Sequence, residues 1–468
     1  MLTFKRKSGI FIPKEYENSA FYIGVKNKLT RYIKDYNTSV RHTLYFYEEN
    51  ENGMKIPRFF PIQQYVNCKI EDCIDKGKKI KIKTNIVPKN NIQEKSMQYL
   101  INNNAVLQLK PGMGKTVISI YVLAQLKLKT IILVHRQSLV DQWFERILQF
   151  TDLDSSNIGI LSSFNYQDVL ISKDIIISTV QSFMAAERKN KIDFEKYLED
   201  AQIGLFIADE VHTSVGAPTF SKCSLNIPAG TRVIGLSATP YRWDGNGDII
   251  DFHLGNVFSI DSCEGIMGSK VVTILFHSGL LASRKRYLYW GGKFQRSRYL
   301  TILRKSNILM AIIKKLINQI ENDREVIFVA ERIKFLDECM KICKNENKIN
   351  FISGVALEDV LSKQIIFTTP GKMRDGVDIS HKDCLVMTSP ISNIEQMVGR
   401  IVREHENKQT PIIFDLVDLD IKDISRTFYK RCTYYESNKW PIKFIYANKG
   451  KFDVIAKNEA MMLIQKGG

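Results

Sequence analysis

Three absences narrow the possibilities before any motif is considered. The eight cysteines of this 468-residue chain form no metal pattern. Cys68 and Cys73 are too far apart for a Cys-x-x-Cys knuckle, and Cys339 and Cys343 stand one helical turn apart without His or Cys partners nearby. Free thiols of a reducing compartment are the expected account. Long apolar runs are missing too: Ile131-Ile-Leu-Val134 has the length of a core strand, and Met1-Leu-Thr-Phe-Lys-Arg-Lys7 has no signal-peptide stretch. An intracellular, cytoplasmic protein with no membrane partner is expected. The third shortage is of acid. Asp and Glu number 50 against 67 Lys and Arg, which leaves a formal charge of +17. Such a surplus favours a polyanion through charge neutralisation and counterion release, and nucleic acid is the first candidate. A Lys-, Ile- and Asn-rich composition imposed by an AT-rich genome is the competing explanation.

Apolar residues at 44% and charged residues at 25% fit a globular protein, and the length suggests about three domains. Residues 1–88 read as a small α/β domain, with strand-like Thr43-Leu-Tyr-Phe-Tyr47 before the turn-prone Glu48-Glu-Asn-Glu-Asn-Gly53. Near its end, Lys76-Gly-Lys-Lys-Ile-Lys-Ile-Lys83 alternates as a strand with one charged face would, either a solvated edge or a phosphate-tracking element. Beyond Pro88, short apolar runs alternate with helical patterns, the mark of βαβ units and parallel sheets. Candidate strands are Ala105–Leu109, Thr130–Val134, Asp174–Ser178, Leu205–Ala208 and Arg232–Leu236. A second series comprises Glu325–Val329, Asn350–Ile352, Gln364–Thr368, Cys384–Met387 and Ile412–Leu416. Two α/β lobes are therefore expected, at 89–262 and 300–430, with a linker or insertion at 263–299 and an extension at 431–468.

Four blocks carry chemistry. In Lys110-Pro-Gly-Met-Gly-Lys-Thr116, Gly112, Met113 and Gly114 form a loop that can turn backbone N–H groups onto phosphates. Lys115 adds a charge at the β/γ oxygens, and Thr116 offers a hydroxyl to Mg²⁺. Leu109 occupies the place of the first glycine of Gly-x-x-x-x-Gly-Lys-Thr, so only the second half of that pattern is intact. Asp209-Glu-Val-His212 follows the apolar run Leu205–Ala208, which puts both carboxylates at the carboxyl edge of the sheet. There Asp209 suits Mg²⁺ and Glu210 suits activation of water. His212 links this block to Ser237-Ala-Thr239, where Ser237 and Thr239 are coupling candidates. Gln396-Met-Val-Gly-Arg-Ile-Val-Arg403 has helical spacing: Gln396, Arg400 and Arg403 share a face, Val398, Ile401 and Val402 pack inward, and the arginines are offered across a cleft to a γ-phosphate.

In this order the blocks resemble superfamily 2 helicases of the DExH type, over roughly 91–419. The resemblance implies two tandem RecA-like parallel-sheet lobes of the P-loop NTPase class behind the small amino-terminal α/β domain, with ATP and Mg²⁺ as cofactors. Gln93 matches the adenine-reading glutamine, and Gly376 and Asp378, within Thr368-Thr-Pro-Gly-Lys-Met-Arg-Asp-Gly-Val-Asp378, match groups that approach the ribose. Arg136 and Gln142 in His135–Trp143, Ser178 and Thr179 in Ile177–Ser182, and Thr368 match nucleic-acid contacts. Thr239-Pro-Tyr-Arg-Trp-Asp-Gly245 resembles the variant found in DNA translocases, including phage branch-migration helicases of the UvsW type and transcript-release helicases of poxviruses and other large DNA viruses. That likeness implies an ATP-driven motor on forked, branched or duplex DNA, moving 3′ to 5′, in replication, recombination, repair or transcription. Its compartment would be the host cytoplasm for a phage, or a viral factory or virion for a large DNA virus.

RNA stays open as the track, because such contacts go largely to phosphate and sugar. So does a subunit that uses ATP only as a clamp. Trp143, Tyr287, Tyr289 and Trp290 are candidates for base stacking or for the core, and a monomer is the expected state.

Overall fold

The computed structural model describes all residues except 35–40, 74–75, 190, 212–217, 228–231, 241–246, 261–266, 280–285, 353, 375–378, 392–393, 404, 406–407, 449 and 467–468. It divides into two compact units, Met1–Ser262 and Cys263–Gly468.

The first unit begins with a five-stranded sheet in the order β5-β6-β2-β1-β7. Its strands are β1 (Leu2–Arg6), β2 (Gly9–Pro13), β5 (Glu48–Asn50), β6 (Gly53–Pro57) and β7 (Cys68–Asp72), while β3 (Thr30–Lys34) and β4 (Arg41–Tyr45) form a separate hairpin. The Asn50 side chain accepts from the backbone N–H groups of Asn52 and Gly53 and sets the β5–β6 turn, at which Gly53 has φ +151°. Phe4, Ile10, Ile12, Tyr22, Met54, Ile56 and Phe60 make the core of this domain, and Ile249 from helix Gly247–Leu254 joins it. The Phe59 N–H donates to the Phe252 carbonyl at 2.8 Å, and the Phe60 and Phe252 rings meet edge to face. The small domain is thus fastened to the α/β lobe that follows.

The basic run 76–83 is not the strand its alternation suggested. Ile80 and Ile82 are buried and Lys79, Lys81 and Lys83 exposed, as the period of two requires. The only pairing there among the described residues is an isolated bridge between Lys79 and Leu128. Lys78 N–H goes to the Gln202 carbonyl, Ile80 N–H to that of Lys127, and Lys129 N–H returns to Lys78. The segment therefore covers the α/β lobe.

That lobe holds seven parallel strands in the order β10-β11-β9-β12-β13-β8-β14. They are β8 (Ala105–Gln108), β9 (Thr130–Val134), β10 (Ile158–Ile160), β11 (Ile175–Thr179), β12 (Leu205–Ala208), β13 (Arg232–Ser237) and β14 (Val257–Ser259). Near-continuous apolar runs follow from helices covering both faces of a parallel sheet. β10 and β14, three residues each, were too short to show a pattern.

The second unit carries eight strands in the order β19-β20-β18-β21-β22-β15-β23-β24. Their ranges are β15 (Lys270–Phe276), β18 (Val326–Val329), β19 (Lys348–Phe351), β20 (Ile365–Thr368), β21 (Cys384–Met387), β22 (Ile412–Asp418), β23 (Ile442–Asn448) and β24 (Lys451–Ile455). A two-stranded hairpin, β16 (Tyr289–Trp290) with β17 (Lys293–Phe294), stands apart. The lobe is larger than 300–430. β15, from the expected linker, lies inside the sheet in parallel register with β22 and β23, and the expected extension supplies β23 and β24. The seven-residue run Lys-Val-Val-Thr-Ile-Leu-Phe is what a doubly covered interior strand needs. Arg431, on helix Thr427–Ser437, is 1% exposed and donates to Asp415 at 2.8 Å and to the Ile391 carbonyl at 2.9 Å, tying that helix to the sheet.

Candidate nucleotide site

The loop between β8 and helix Lys115–Leu126 has the geometry that its glycines allow. Gly112 and Gly114 take φ +91° and +84°, where a side chain is strained. A Cβ on Gly114 would also lie 2.7 Å from Gln93 Nε2. Gln93 is held on both sides: Nε2 donates to the Met113 carbonyl at 3.3 Å, and Oε1 accepts from the Lys89 N–H at 3.0 Å. It therefore braces the loop directly. Lys115 Nζ donates to the Leu109 carbonyl at 3.0 Å, which holds the ammonium across the loop, and Thr116 stands in the first turn of the helix. A loop of this kind ending on a helix N-terminus suits phosphate oxygens.

β12 delivers the acids. The Asp209 N–H donates to the Leu133 carbonyl and continues the sheet for one residue, so its carboxyl group emerges at the carboxyl edge, two strands from β8. Asp209 Oδ1 accepts from the Glu210 N–H at 2.9 Å and Oδ2 from the Trp143 indole N–H at 2.8 Å. Burial, then the nearby Glu210, pushes the Asp209 pKa up to about 6, against the Trp143 hydrogen bond and the Lys115 charge, which lower it. Glu210 has φ +50°, a strained conformation for a residue other than glycine, and such strain gathers at functional sites. The two acids are adjacent in the chain, and the Glu210 charge is close enough to raise Asp209.

β13 closes the arrangement. The Ser237 carbonyl accepts from the Leu109 N–H at 3.2 Å, and its Oγ accepts from the Thr239 N–H at 3.0 Å. Ser237 thus joins the phosphate loop to the Ser-Ala-Thr turn. His212 lies outside the described residues, as do Gly376 and Asp378.

Trp143 is the residue whose role was missed. Its ring is 1% exposed and cannot stack on a base; its indole N–H fixes the Asp209 carboxylate instead. The signal was its place in His135–Trp143 together with the need of a buried acid for a donor.

The expected nucleic-acid contacts divide. Arg136 is exposed at the start of helix Gln137–Phe150, and Gln142 is half-buried on it. Ser178 is fully buried and donates to backbone carbonyls, Thr179 caps the next helix through Ser182, and Thr368 donates to the Phe351 carbonyl at 2.9 Å. All three hydroxyls are thus engaged by groups of the fold itself. In the second unit Val398, Ile401 and Val402 are buried as expected. The helix, Glu395–Ile401, ends before Arg403, so Gln396, Arg400 and Arg403 do not share a helical face. Arg400 is mostly buried and Arg403 half-buried; the Gln396 side chain lies outside what is described.

A phosphate loop beside paired acids on a parallel sheet, with a second parallel-sheet unit in the same chain, defines a P-loop NTPase of RecA-like architecture. Comparisons narrow that class. Residues 62–242 match the family model described as "Type III restriction enzyme, res subunit". The chain is 27% identical over 359 residues, 74% of its length, to "Putative ATP-dependent RNA helicase L396" of Acanthamoeba polyphaga mimivirus, and spans 66% of that protein. It is 24% identical over 364 residues to "Putative helicase 161L" of Invertebrate iridescent virus 6, covering 73% of this chain and 78% of the other. Among solved structures, "ATP-dependent Type ISP restriction-modification enzyme LlaBIII bound to DNA" aligns at a TM-score of 0.56 and 15% identity, over 88% of this chain and 35% of that one, a likeness of fold. By sequence the chain is thus similar to viral proteins described as helicases and, over residues 62–242, to the restriction-enzyme family. Among the described residues no helix is long and apolar enough to cross a membrane.

Proposed function

We propose that this chain is a DNA-stimulated ATPase that uses ATP and Mg²⁺ to move 3′ to 5′ and to unwind or remodel forked and branched DNA. The observation that carries the reading is the carboxyl edge of the first α/β lobe, where a braced glycine loop, the Lys115 ammonium and two adjacent carboxylates meet. Bound there, ATP with Mg²⁺ supplies a phosphoryl group open to attack by water. Lys115 would bind phosphate oxygens, Thr116 and Asp209 would hold the cation, and Glu210 would orient the water and take its proton. Gln93 fixes the loop and faces the base. Arg403, with Arg400 as the alternative, supplies positive charge as negative charge develops on the γ-phosphoryl group.

DNA as the track rests on the translocase-like Thr239–Gly245 string and on the +17 charge, which suits any polyanion. A second reading makes RNA the track, and the printed description of the mimivirus relative favours it. Comparing ATP turnover and unwinding on duplex, forked, three-way and four-way DNA and on RNA decides between them. The DNA reading expects forks and junctions to stimulate turnover most. Equal or greater stimulation by RNA would replace it, and turnover indifferent to every nucleic acid would remove the motor altogether.

A further inference from the structure

The β16–β17 hairpin is built around an aromatic pair and one arginine, and the chemistry of the nucleotide site makes no use of it. Gly291 and Gly292 take φ +54° and +74°, the positive pair that a two-residue hairpin turn needs. The strands they join pair Trp290 with Lys293 and Tyr289 with Phe294. Below them Leu288 is fully buried in the core, and the Tyr289 hydroxyl reaches Asp423. The root is therefore anchored while the tip projects, with Trp290 70% and Tyr287 44% exposed. Both rings take the same cation. The Arg298 guanidinium lies 5.3 Å from the Tyr287 centroid and 5.5 Å from that of Trp290, and it donates to the Tyr287 carbonyl at 3.2 Å. This arrangement holds two large rings in fixed orientation, each with a face turned away from the arginine.

Position narrows the partner. Directly after the hairpin, Arg296 bonds Glu331, beyond the carboxyl end of β18, and the Pro390 carbonyl, beyond that of β21. Arg332 in turn donates to the Ser297 carbonyl at 3.0 Å. The hairpin is thus fixed at the carboxyl edge of the second unit's sheet, where the loop after β20 also emerges. Its surroundings are cationic: Lys293 stands on it and Arg286 and Arg298 flank it, while the nearby acids Asp423 and Glu331 are engaged by Tyr289 and Arg296. Rigid exposed rings among cations suit a partner with flat π-faces on an anionic backbone, which is a single nucleic-acid strand.

We propose that Trp290, oriented by Arg298 beside Tyr287, is a stacking platform for an unpaired base of the strand that the second unit grips. This rests on the nucleic-acid-motor reading and adds to it a contact with a base, where the family-derived contacts address phosphate and sugar.

The test uses the full chain and two oligonucleotides of equal length, an oligothymidylate and its abasic counterpart, which has the same phosphates and no bases. Wild-type protein should bind the oligothymidylate about tenfold more tightly than the abasic strand, on the order of one stacked base. Trp290→Ala should lose most of that preference, Trp290→Phe should keep much of it, and both should retain ATP turnover measured without nucleic acid. Binding of the oligothymidylate should also quench tryptophan fluorescence in wild type more than in Trp290→Phe. Equal binding of the two strands by wild type, or an undiminished preference in Trp290→Ala, would overturn the platform while leaving the motor intact. Failure of wild type to bind either strand would overturn the motor reading and the platform with it. Because the ring is mostly exposed, its removal leaves the core in place, and Tyr287→Ala offers a second variant with the same expected direction.

Discussion

Two sheets, one parallel and the other parallel but for its edge strand β24, end in edges of different chemistry. In the first unit the loop after β8 places a lysine over bent backbone, and β12 ends in a buried acid whose pKa is pushed up to about 6, beside a second acid on a strained turn. In the second unit the acids at the end of β22 are consumed by the fold. Asp418 accepts from the backbone N–H groups of Ser278 and Asp420 and from the Tyr299 hydroxyl. Asp420 accepts from Gly279 and His277, and these bonds hold its carboxyl below the usual range although burial works the other way. What that edge presents is arginine and aromatic rings. Burial raises Asp418 as it raises Asp209, but Asp209 has a second carboxylate, Glu210, beside it, whereas Asp418 and Asp420 are engaged by the fold's own N–H and O–H donors. On the proposed reading, one architecture serves a cation and water at one edge and a polyanion at the other.

The sharpest way to break this division is Arg403→Ala. Nucleic-acid-stimulated turnover should fall on the order of a thousandfold, while ATP affinity changes by less than about tenfold. Steady-state kinetics at saturating DNA with equilibrium nucleotide binding measure both. Normal turnover would move the role to Arg400. Next in size is Trp143→Phe, which keeps an aromatic ring and removes the N–H that fixes Asp209. By analogy with other groups that orient a metal ligand, kcat should drop about 10- to 100-fold, with a higher Mg²⁺ requirement in a titration. Unchanged kcat would make the indole a core filler only.

Much of this was legible in the sequence, because phosphate loops and interior strands are local patterns. The glycines at 112 and 114 announce positive φ, and the apolar runs of β9, β12 and β21 match the structure residue for residue. What stayed hidden depends on distant partners. β15 read as linker because its neighbours β22 and β23 come from about 140 and 170 residues further on. Ser178 and Thr368 looked like strand contacts because a motif records that a residue sits at an edge, and whether its hydroxyl turns inward depends on Leu161 and Phe351. Trp143 and Asp209 are 66 positions apart, beyond any periodicity.

Smaller effects sharpen the comparison. His253, 2% exposed, bonds the Ser221 hydroxyl at 2.8 Å, and burial pushes its pKa down to about 3 from 6.5. The unfolded chain therefore takes up a proton below about pH 6.5 that the folded chain refuses until about pH 3, so stability falls as pH drops through that window. Urea unfolding near pH 7.5 and near pH 5.5 should show the loss, and His253→Gln should flatten it. An equal pH slope in the variant would place the titrating group elsewhere. Smallest of all, Ser178→Ala and Thr368→Ala should leave affinity for single-stranded DNA within about twofold and cost about 1 kcal/mol of stability each. A tenfold loss of affinity in either would restore its hydroxyl to the strand contacts.

The central claim, that the first unit's edge separates binding from chemistry, meets its most direct test in one pair of variants assayed side by side. Equilibrium binding of ATP with Mg²⁺ and single-turnover hydrolysis would be measured for Lys115→Ala and Glu210→Gln. Lys115→Ala should bind weakly and hydrolyse nothing, because the cation over the phosphate loop is gone. Glu210→Gln should bind ATP as tightly as wild type and fail only at hydrolysis. Equal loss of binding in both variants, or hydrolysis by Glu210→Gln at the wild-type rate, would contradict the assignment of the two carboxylates.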